Sequence, residues 1–224
     1  LRQFDVIGVA GPRKLHSAFW PNGGPANLAG LVIHGPVGKP AEQFSINYYD
    51  TSPDRHIAVE ALDGVFIAGH RQVFEQVGFD SSNFDGFHLY DIDFTYRCHL
   101  AGFSLGVCKD LLLVHSSAGN FGSDWLRYER RFRDKYPALA PARLTPRYSP
   151  AAIQAASLAE AEAICRAPEH FFSSADAGAA TQQPAPETIR YETWRKRTTL
   201  QEIDAQLLAE RMVLQWSSRP GIHL

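Results

Sequence analysis

Three features of the sequence predict a mixed α/β fold followed by an extension of helix and linker. Short apolar runs that contain β-branched residues, such as FDVIGV, end at turns rich in Gly and Pro, which is typical of buried strands. Segments with helical spacing alternate with these runs and stop at glycine. From about Ala138 the composition becomes proline-rich and then rich in Ala and Glu, which indicates that the compact part has ended.

The N-terminal part of the chain is predicted to contain one strand and one hairpin. The strand covers residues 4–9 and ends at Ala10-Gly11-Pro12. The following segment, RKLHSAFWPNGGPANL, contains too much Gly, Pro and Asn for regular structure, so we expect a loop there. LVIHG and EQFSINYY are separated by a PVGKP turn and predict a hairpin, whose second strand places Phe44, Ile46 and Tyr48 on one face.

The middle of the chain is predicted to alternate strands with helices. IAVEALDGVFIAGH supplies one or two strands interrupted at Asp63-Gly64, and RQVFEQVG forms a short helix that ends at Gly78. A second helix begins near Tyr90 or Asp91 and stops at Gly102. Two short strands, FSLGVC and LLLVH, come after it. We therefore expect a mixed sheet flanked by helices.

A third helix is predicted where Ser123 or Asp124 can serve as its cap. Its buried face carries four aromatic residues at helical spacing, Trp125, Tyr128, Phe132 and Tyr136. The compact domain is expected to cover residues 1–148.

The remaining residues are expected to form an extension. SPAAIQAASLAEAEAICRA reads as an Ala/Glu helix, and SSADAGAATQQPAPE has the composition of a flexible linker, so residues 149–189 are predicted to be a linker with one helix. Residues 190–224 are predicted to be a helical segment that leads towards a possible further domain. Its helix opens with a capping box, Thr199 and Glu202, and breaks at Ser217. We also expect the chain to be a piece of a longer polypeptide, because it opens without a Met.

Composition excludes several classes of protein. The formal net charge of −2 gives no general attraction to nucleic acid, and the longest apolar runs are too short to cross a bilayer. The three cysteines lack the paired short spacing of structural zinc sites and are odd in number, which does not favour a disulfide framework. A reducing, cytoplasmic location is therefore predicted, with attachment to the periphery of the inner membrane also open.

The run FHLYDIDFTYRCHLAG places two carboxylates, Asp91 and Asp93, at the start of the second helix. On a helix, residues two apart point in directions about 200° apart, so both carboxylates are not expected to bind one ion. One of them should face a cleft, while the other caps the helix or pairs with a residue such as Arg97. We predict that Asp91 faces the cleft and that Asp93 and Arg97 have a supporting role. Taken alone, an aspartate at this position is more often a helix cap than a catalyst.

The segments LDGVFIAGHRQVFEQVGFD and FHLYDIDFTYRCHLAGFSLGVCKDLLLVHSSAG resemble the second half of a family 2 glycosyltransferase of the GT-A fold. The likeness is to a bacterial branch that carries a His-x-Tyr-Asp-x-Asp run. It spans about Asp63 to Gly119, and GVAGP with the region around Trp20 resembles the segment that precedes it. The resemblance implies a partial GT-A-type mixed sheet, and it places the nucleotide-binding half before residue 1.

The resemblance also implies roles for individual residues. Asp91 matches the catalytic base, which takes the proton from the acceptor hydroxyl as the sugar is transferred with inversion. Asp63 and Gly64 match the loop beside the acceptor, although a β-bulge would explain the glycine as well. His88 could contact the acceptor or merely fill a loop.

His115, at the end of LLLVH, matches the histidine that joins the family's metal site on the donor diphosphate. The resemblance thus implies a divalent cofactor, Mn²⁺ or Mg²⁺, with the remaining ligands expected upstream of residue 1. A histidine hydrogen-bonded in a turn remains the alternative at this position.

The predicted function is inverting transfer of a sugar from a nucleotide-sugar donor to a glycan acceptor in the synthesis of a bacterial surface polysaccharide. The alternative is a non-catalytic domain of the same fold that binds carbohydrate or mediates assembly. A metal hydrolase using Asp91, Asp93 and His115 is a third hypothesis, which the absence of a compact ligand spacing disfavours. The expected partners are the donor, the acceptor and possibly other domains of the same polypeptide; neither nucleic acid nor a transmembrane segment is expected.

Overall fold

The computed structural model describes residues 3–35, 43–50, 52–116, 121–144, 151–167 and 212–215. These residues form two sheets of five strands each and four α-helices, which confirms the mixed α/β class. The strands are β1 Val6–Gly8, β2 Ala10–Pro12, β3 Leu28–His34, β4 Phe44–Tyr48, β5 His56–Val59, β6 Ile67–His70, β7 Leu105–Cys108, β8 Val114–His115, β9 Ala151–Ala155 and β10 Met212–Gln215. The helices are α1 Arg71–Val77, α2 Tyr90–Leu100, α3 Ser123–Lys135 and α4 Leu158–Arg166.

The first sheet has the strand order β10-β6-β1-β7-β5. β1 lies in its middle, antiparallel to β6 and parallel to β7, while β5 pairs antiparallel with β7 at one edge. Helices α1 and α2 cover this sheet, since Val73 and Phe94 join a buried cluster with Val6 and Leu105. The buried residues of these two helices therefore face the first sheet.

The second sheet has the order β2-β3-β4-β9, and β8 pairs parallel with the last two residues of β3, Ile33 and His34. The predicted hairpin is present as β3 and β4, and its residues Phe44, Ile46 and Tyr48 are all buried on one face. β1 and β2 are separated by Val9 alone, so the chain passes directly from one sheet to the other there. Gly30 permits this close crossing, because its φ is +105° and an added Cβ would collide with the carbonyl oxygen of Val9.

Helix α3 packs its aromatic face into the cluster that joins the two sheets, as its spacing predicted. Trp125, Tyr128 and Phe132 are each at most 4% exposed. The cap differs from the prediction, since Gly122 is the N-cap residue and Ser123 already lies inside the helix.

Residues after 150 differ from the predicted linker. A helix was expected throughout SPAAIQAASLAEAEAICRA, but 151–155 form strand β9, which pairs with β4 and places Ile153 opposite Ile46. Helix α4 then begins after Ser157, whose hydroxyl accepts a hydrogen bond from the Glu160 N–H at 3.1 Å. β9 is a strand of the second sheet and α4 packs against that sheet, so these residues belong to the compact part of the chain.

Only residues 212–215 of the predicted last helix are among the described residues, and they form a strand instead. Residues 212–215 form β10, which pairs antiparallel with β6. The capping box of Thr199 and Glu202 lies outside the described residues. Among the described helices, none is both long and apolar enough to cross a membrane.

Candidate functional site

Asp91 lies in the first turn of α2 and is held against the loop between β5 and β6. Its Oδ2 accepts a hydrogen bond of 2.7 Å from the backbone N–H of Gly64. A Cβ added to Gly64 would lie only 2.6 Å from that same oxygen, so a residue with a side chain could not approach the carboxylate in this way. The glycine predicted from sequence is thus required for the close approach of this loop to Asp91.

Asp63 is the second carboxylate of the site and is fixed by donors of its own. Its Oδ2 accepts a hydrogen bond of 2.8 Å from the Trp20 indole N–H, and its Oδ1 accepts one of 3.0 Å from the Val65 N–H. Asp63 and Gly64 are adjacent in the chain and Gly64 contacts Asp91, so the structure brings these three predicted residues together. The two carboxylates are close enough for the charge of Asp63 to affect the ionisation of Asp91.

The surroundings of Asp91 favour its protonated form. Burial is the main cause, and the negative charge of Asp63 adds to it; together they raise the pKa of Asp91 to about 7. The backbone donors, including the Gly64 N–H, act in the opposite direction but do not cancel these effects. Asp91 can therefore both accept and hold a proton near neutral pH.

The raised pKa predicts that Asp91 lowers the stability of the folded protein as the pH rises from about 4 to about 7. An unfolded aspartate ionises near pH 4, whereas folded Asp91 keeps its proton until about pH 7. Between these values the folded state binds more protons, so the free energy of unfolding falls with increasing pH. We therefore expect the free energy of unfolding of Asp91→Asn, relative to that of the wild type, to rise by about 2–4 kcal/mol between pH 4 and pH 8. Urea unfolding at a series of pH values measures this difference.

The comparison of the two chains serves as its own control, because every other titrating group is common to both. Asparagine keeps the size of the side chain and an oxygen that can accept from Gly64. A stability difference that stays constant from pH 4 to pH 8 would contradict the raised pKa.

Thr95 fixes the start of α2 to the same loop. Its hydroxyl lies in the buried interior, accepts a hydrogen bond of 3.0 Å from the Leu62 N–H and donates one of 2.8 Å to the carbonyl oxygen of Asp91. Leu62 precedes Asp63, so this one hydroxyl sets the position of both carboxylates relative to each other.

Thr95→Val is expected to destabilise the protein by about 1–3 kcal/mol, because it leaves the buried Leu62 N–H without its acceptor while preserving the shape of the side chain. Thr95→Ser is the matched control, since it keeps the hydroxyl and loses only a methyl group, at about 1 kcal/mol. Chemical denaturation of both variants measures the difference. Equal stability of Thr95→Val and the wild type would show that the hydroxyl does not hold the loop.

The turn before α2 is strained. Leu89, the N-cap residue, has φ 61° and ψ 4°, a left-handed conformation that is uncommon for a bulky residue, and it is only 5% exposed. Such a residue costs on the order of 1 kcal/mol and persists where the surrounding packing determines it. The strained turn gives α2 its abrupt start and places Asp91 in the first turn.

His115 and His34 occupy the ends of two paired strands. β3 and β8 run parallel and end at these residues, which are register partners, and their rings lie 5.7 Å apart between centroids. Burial lowers the pKa of both imidazoles, and His115 lowers that of His34 further, so both are neutral at pH 7. The negative charge of Asp63 acts on both imidazoles in the opposite direction and raises their pKa.

His115 carries an unused nitrogen. Its Nδ1 is buried and has no hydrogen-bond partner among the described residues. His34 Nε2, in contrast, lies 3.1 Å from the Asn47 amide nitrogen. The turn hydrogen bond considered as an alternative for His115 is therefore not present at Nδ1 within the described part of the chain.

Sequence reasoning missed four residues around this site: Trp20, His34, Asn47 and Tyr49. Tyr49 packs on Trp20 with 4.7 Å between ring centroids, and burial together with the charge of Asp63 raises its pKa. Asp63 and Trp20 are 43 positions apart, so no local pattern links them. The one available signal was that LVIHG and LLLVH both end in histidine, which a parallel pairing would bring together.

Asp93 points away from Asp91, as the helical spacing predicted. It is fully buried and binds Arg97 Nε at 2.9 Å, Lys135 Nζ at 2.7 Å and the Tyr136 hydroxyl at 2.7 Å. Arg97 in turn donates to the carbonyl oxygens of Val77 and Gly78. Of the two alternatives left open for Asp93, the structure has the ion pair with Arg97.

His88 lies beside Phe87 and Tyr128, with ring centroids 5.5 and 6.2 Å away. Burial lowers its pKa. Its described ring contacts are with these two residues, and its position relative to an acceptor stays a prediction. Phe87 itself is 57% exposed, and its ring lies 6.4 Å from the ring of Tyr90, which is the residue directly before Asp91.

The histidine expected to bind a metal does not lie in a preformed ligand cluster. Among the described residues, three possible ligands come together at His56, Cys108 and Asp110, and His115 does not belong to that group. The role of His115 in binding a cation therefore stays a prediction.

Comparison of the chain with known proteins gives no match: no family model, no curated protein and no solved structure is similar enough to it. A function for this chain therefore has to be inferred from its own residues and from the contacts described above.

Proposed function

We propose that this chain is the acceptor-side half of an inverting glycosyltransferase, in which Asp91 is the general base and a nucleotide sugar is the donor. The observation that carries the proposal is the placement of Asp91 at the start of α2, bonded to the Gly64 N–H and beside a second carboxylate, Asp63; its burial and the charge of Asp63 raise the pKa of Asp91 to about 7. A general base works best when its pKa lies near the operating pH, and perturbed acids of this kind concentrate at functional sites. The sequence resemblance supplies the reaction class.

In the proposed reaction, one carboxylate oxygen of Asp91 accepts the proton of an acceptor hydroxyl while the hydroxyl oxygen attacks the anomeric carbon of the donor. The bond from that carbon to the diphosphate oxygen breaks as the new bond forms, and the configuration inverts. Asp91 ends the step protonated, a form that its burial and the neighbouring charge of Asp63 favour. Asp63 is thus a positioning residue that maintains the proton affinity of Asp91.

The histidines at the ends of β3 and β8 have side chains that can bind a divalent cation. His115 and His34 have neutral imidazoles, and the buried Nδ1 of His115 has no hydrogen-bond partner among the described residues, so it can accept a ligand bond. His115 would hold the ion together with ligands that the resemblance assigns to residues preceding position 1. When bound, the ion would neutralise the charge of the leaving diphosphate.

The acceptor is proposed to be a glycan. Phe87 is more than half exposed, and its ring lies 6.4 Å from that of Tyr90, the residue that precedes Asp91 in the chain. Aromatic faces bury the apolar side of a ring while the polar edges remain free for hydrogen bonds. His88 and Gly64 adjoin the same segment and are proposed acceptor contacts.

The test is acceptor-dependent release of nucleoside diphosphate by the longest natural polypeptide that contains this chain. UDP-, GDP- and dTDP-sugars are offered with glycan acceptors, with Mn²⁺ or with chelator. Release that requires both acceptor and cation supports the proposal. Binding of glycan to an immobilised sample, without release of diphosphate under any condition, would instead favour a non-catalytic carbohydrate-binding domain.

A further inference from the structure

His56, Cys108 and Asp110 form a cluster on the edge of the first sheet. His56 opens the edge strand β5, Cys108 closes β7, and the two residues are register partners across the antiparallel pair. Asp110 follows in the turn after β7. One ligand atom from each residue lies within 4.8 Å of the other two, so a single ion can contact all three with small side-chain movements.

The three donors are of different kinds, and this defines the class of ion. Imidazole and thiolate are soft or borderline ligands that favour Zn²⁺ and its neighbours, while Ca²⁺ and Mg²⁺ require oxygen ligands. A set of one nitrogen, one sulfur and one carboxylate oxygen leaves a fourth tetrahedral position for water. The cluster is therefore suited to a zinc-class ion and unsuited to the cation proposed for sugar transfer.

The ion pairs now present in the cluster are weak competitors. Asp110 lies 3.3 Å from Arg55 Nη1 and 3.4 Å from His56 Nε2, with roughly half of each side chain exposed. Exposed pairs of this kind contribute about 0–1 kcal/mol, so a metal ion can replace them at little cost. Arg55 also has a second partner, the carbonyl oxygen of Arg166 at 3.3 Å from Nη2.

We propose that His56, Cys108 and Asp110 bind a zinc-class divalent ion, with displacement of Arg55 and release of the thiol proton to solvent. The ion would join β5, the exposed edge of the sheet, to the turn after β7. The proposed site shares no residue with the Asp91 site, and it stands whether or not the chain transfers sugars.

The test uses Co²⁺ and Zn²⁺ as probes on the purified reduced protein. Co²⁺ bound to a thiolate gives a near-ultraviolet charge-transfer band, and the chain has three cysteines, of which Cys98 and Cys165 are buried. We expect one equivalent of Co²⁺ to produce the band, Zn²⁺ to remove it by displacement, and Cys108→Ser to abolish it. His56→Gln should also weaken Co²⁺ binding, because it removes the imidazole ligand.

His99→Gln is the matched control. His99 also lies beside a carboxylate, 3.7 Å from Glu60, and its side chain is 38% exposed, but it has no thiol in its cluster. The variant should bind Co²⁺ as the wild type does. Absence of the band in the wild type, or a band that persists in Cys108→Ser, would overturn the proposal, and circular dichroism establishes that each variant is folded.

Discussion

Asp91→Asn is expected to reduce the rate of sugar transfer by about 10²–10⁴-fold, the contribution that a general base makes to such a reaction. The amide cannot accept a proton from the acceptor hydroxyl, but it keeps the size of the carboxylate and an oxygen for the Gly64 N–H. We expect the loss in kcat and only a small change in KM for the donor, because the proton moves only in the transition state.

Asp54→Asn is the matched control for this change. Asp54 is exposed and lies outside the site, so the same substitution there should leave turnover unchanged. Far-ultraviolet circular dichroism and urea unfolding at pH 7.5 would establish that Asp91→Asn is folded and at least as stable as the wild type. If this folded variant transfers sugar within about twofold of the wild-type rate, Asp91 is not the base.

The two effects expected for Asp91→Asn oppose each other, and this is informative about the site. A partly buried acid beside another acid lowers stability as the pH rises from its unfolded pKa to its folded pKa, and a purely structural residue would gain nothing from that arrangement. Loss of activity together with a gain in stability is the pattern of a residue retained for function. A helix cap would show no such gain, because asparagine and aspartate cap helices about equally well.

Local periodicity was sufficient to predict helices α1, α2 and α3 and the divergence of Asp91 and Asp93 within α2. Both predictions depend on spacing within one helix, where rotation per residue fixes direction. The same reasoning predicted that Gly64 and Asp63 form a break between strands, and β5 and β6 do end and begin on either side of them.

Tertiary contacts decided what local patterns could not. Ala and Gln favour helix, so AAIQA was predicted as part of a helix, but pairing with β4 and burial of Ala155 make it a strand. Trp20 reaches Asp63 across 43 positions, and His34 meets His115 only because β3 and β8 pair in parallel. Contacts of this kind have no signature in a single sequence. The cap of α4 does have one, a Ser at 157 followed three residues later by Glu160.

Asp93→Asn is expected to destabilise the protein by about 3–5 kcal/mol, although it is the same chemical change two residues from Asp91. Asp93 is fully buried and joins three donors, Arg97, Lys135 and Tyr136, from α2, α3 and the residue after α3. An amide has one acceptor oxygen and no charge, so the Arg97 and Lys135 cations would lose a buried counter-ion. The free energy of unfolding of a single domain is about 5–15 kcal/mol in total, so this loss should be evident as a lower urea midpoint.

Tyr136→Phe separates the charge of Asp93 from its hydrogen bonds. This variant removes one donor from Asp93 Oδ1 and leaves both ion pairs, so it should cost about 1.5–3 kcal/mol, the contribution of one hydrogen bond to a charged group. Lys135 keeps a second partner, Asp80 Oδ2 at 2.6 Å, which limits the penalty on the Lys135 side of the network. If Asp93→Asn and Tyr136→Phe proved equally mild, the charge of Asp93 would contribute nothing to the packing of α3. A large loss for Asp93→Asn, set against the gain expected for Asp91→Asn above pH 7, would assign the two carboxylates to stability and to chemistry respectively.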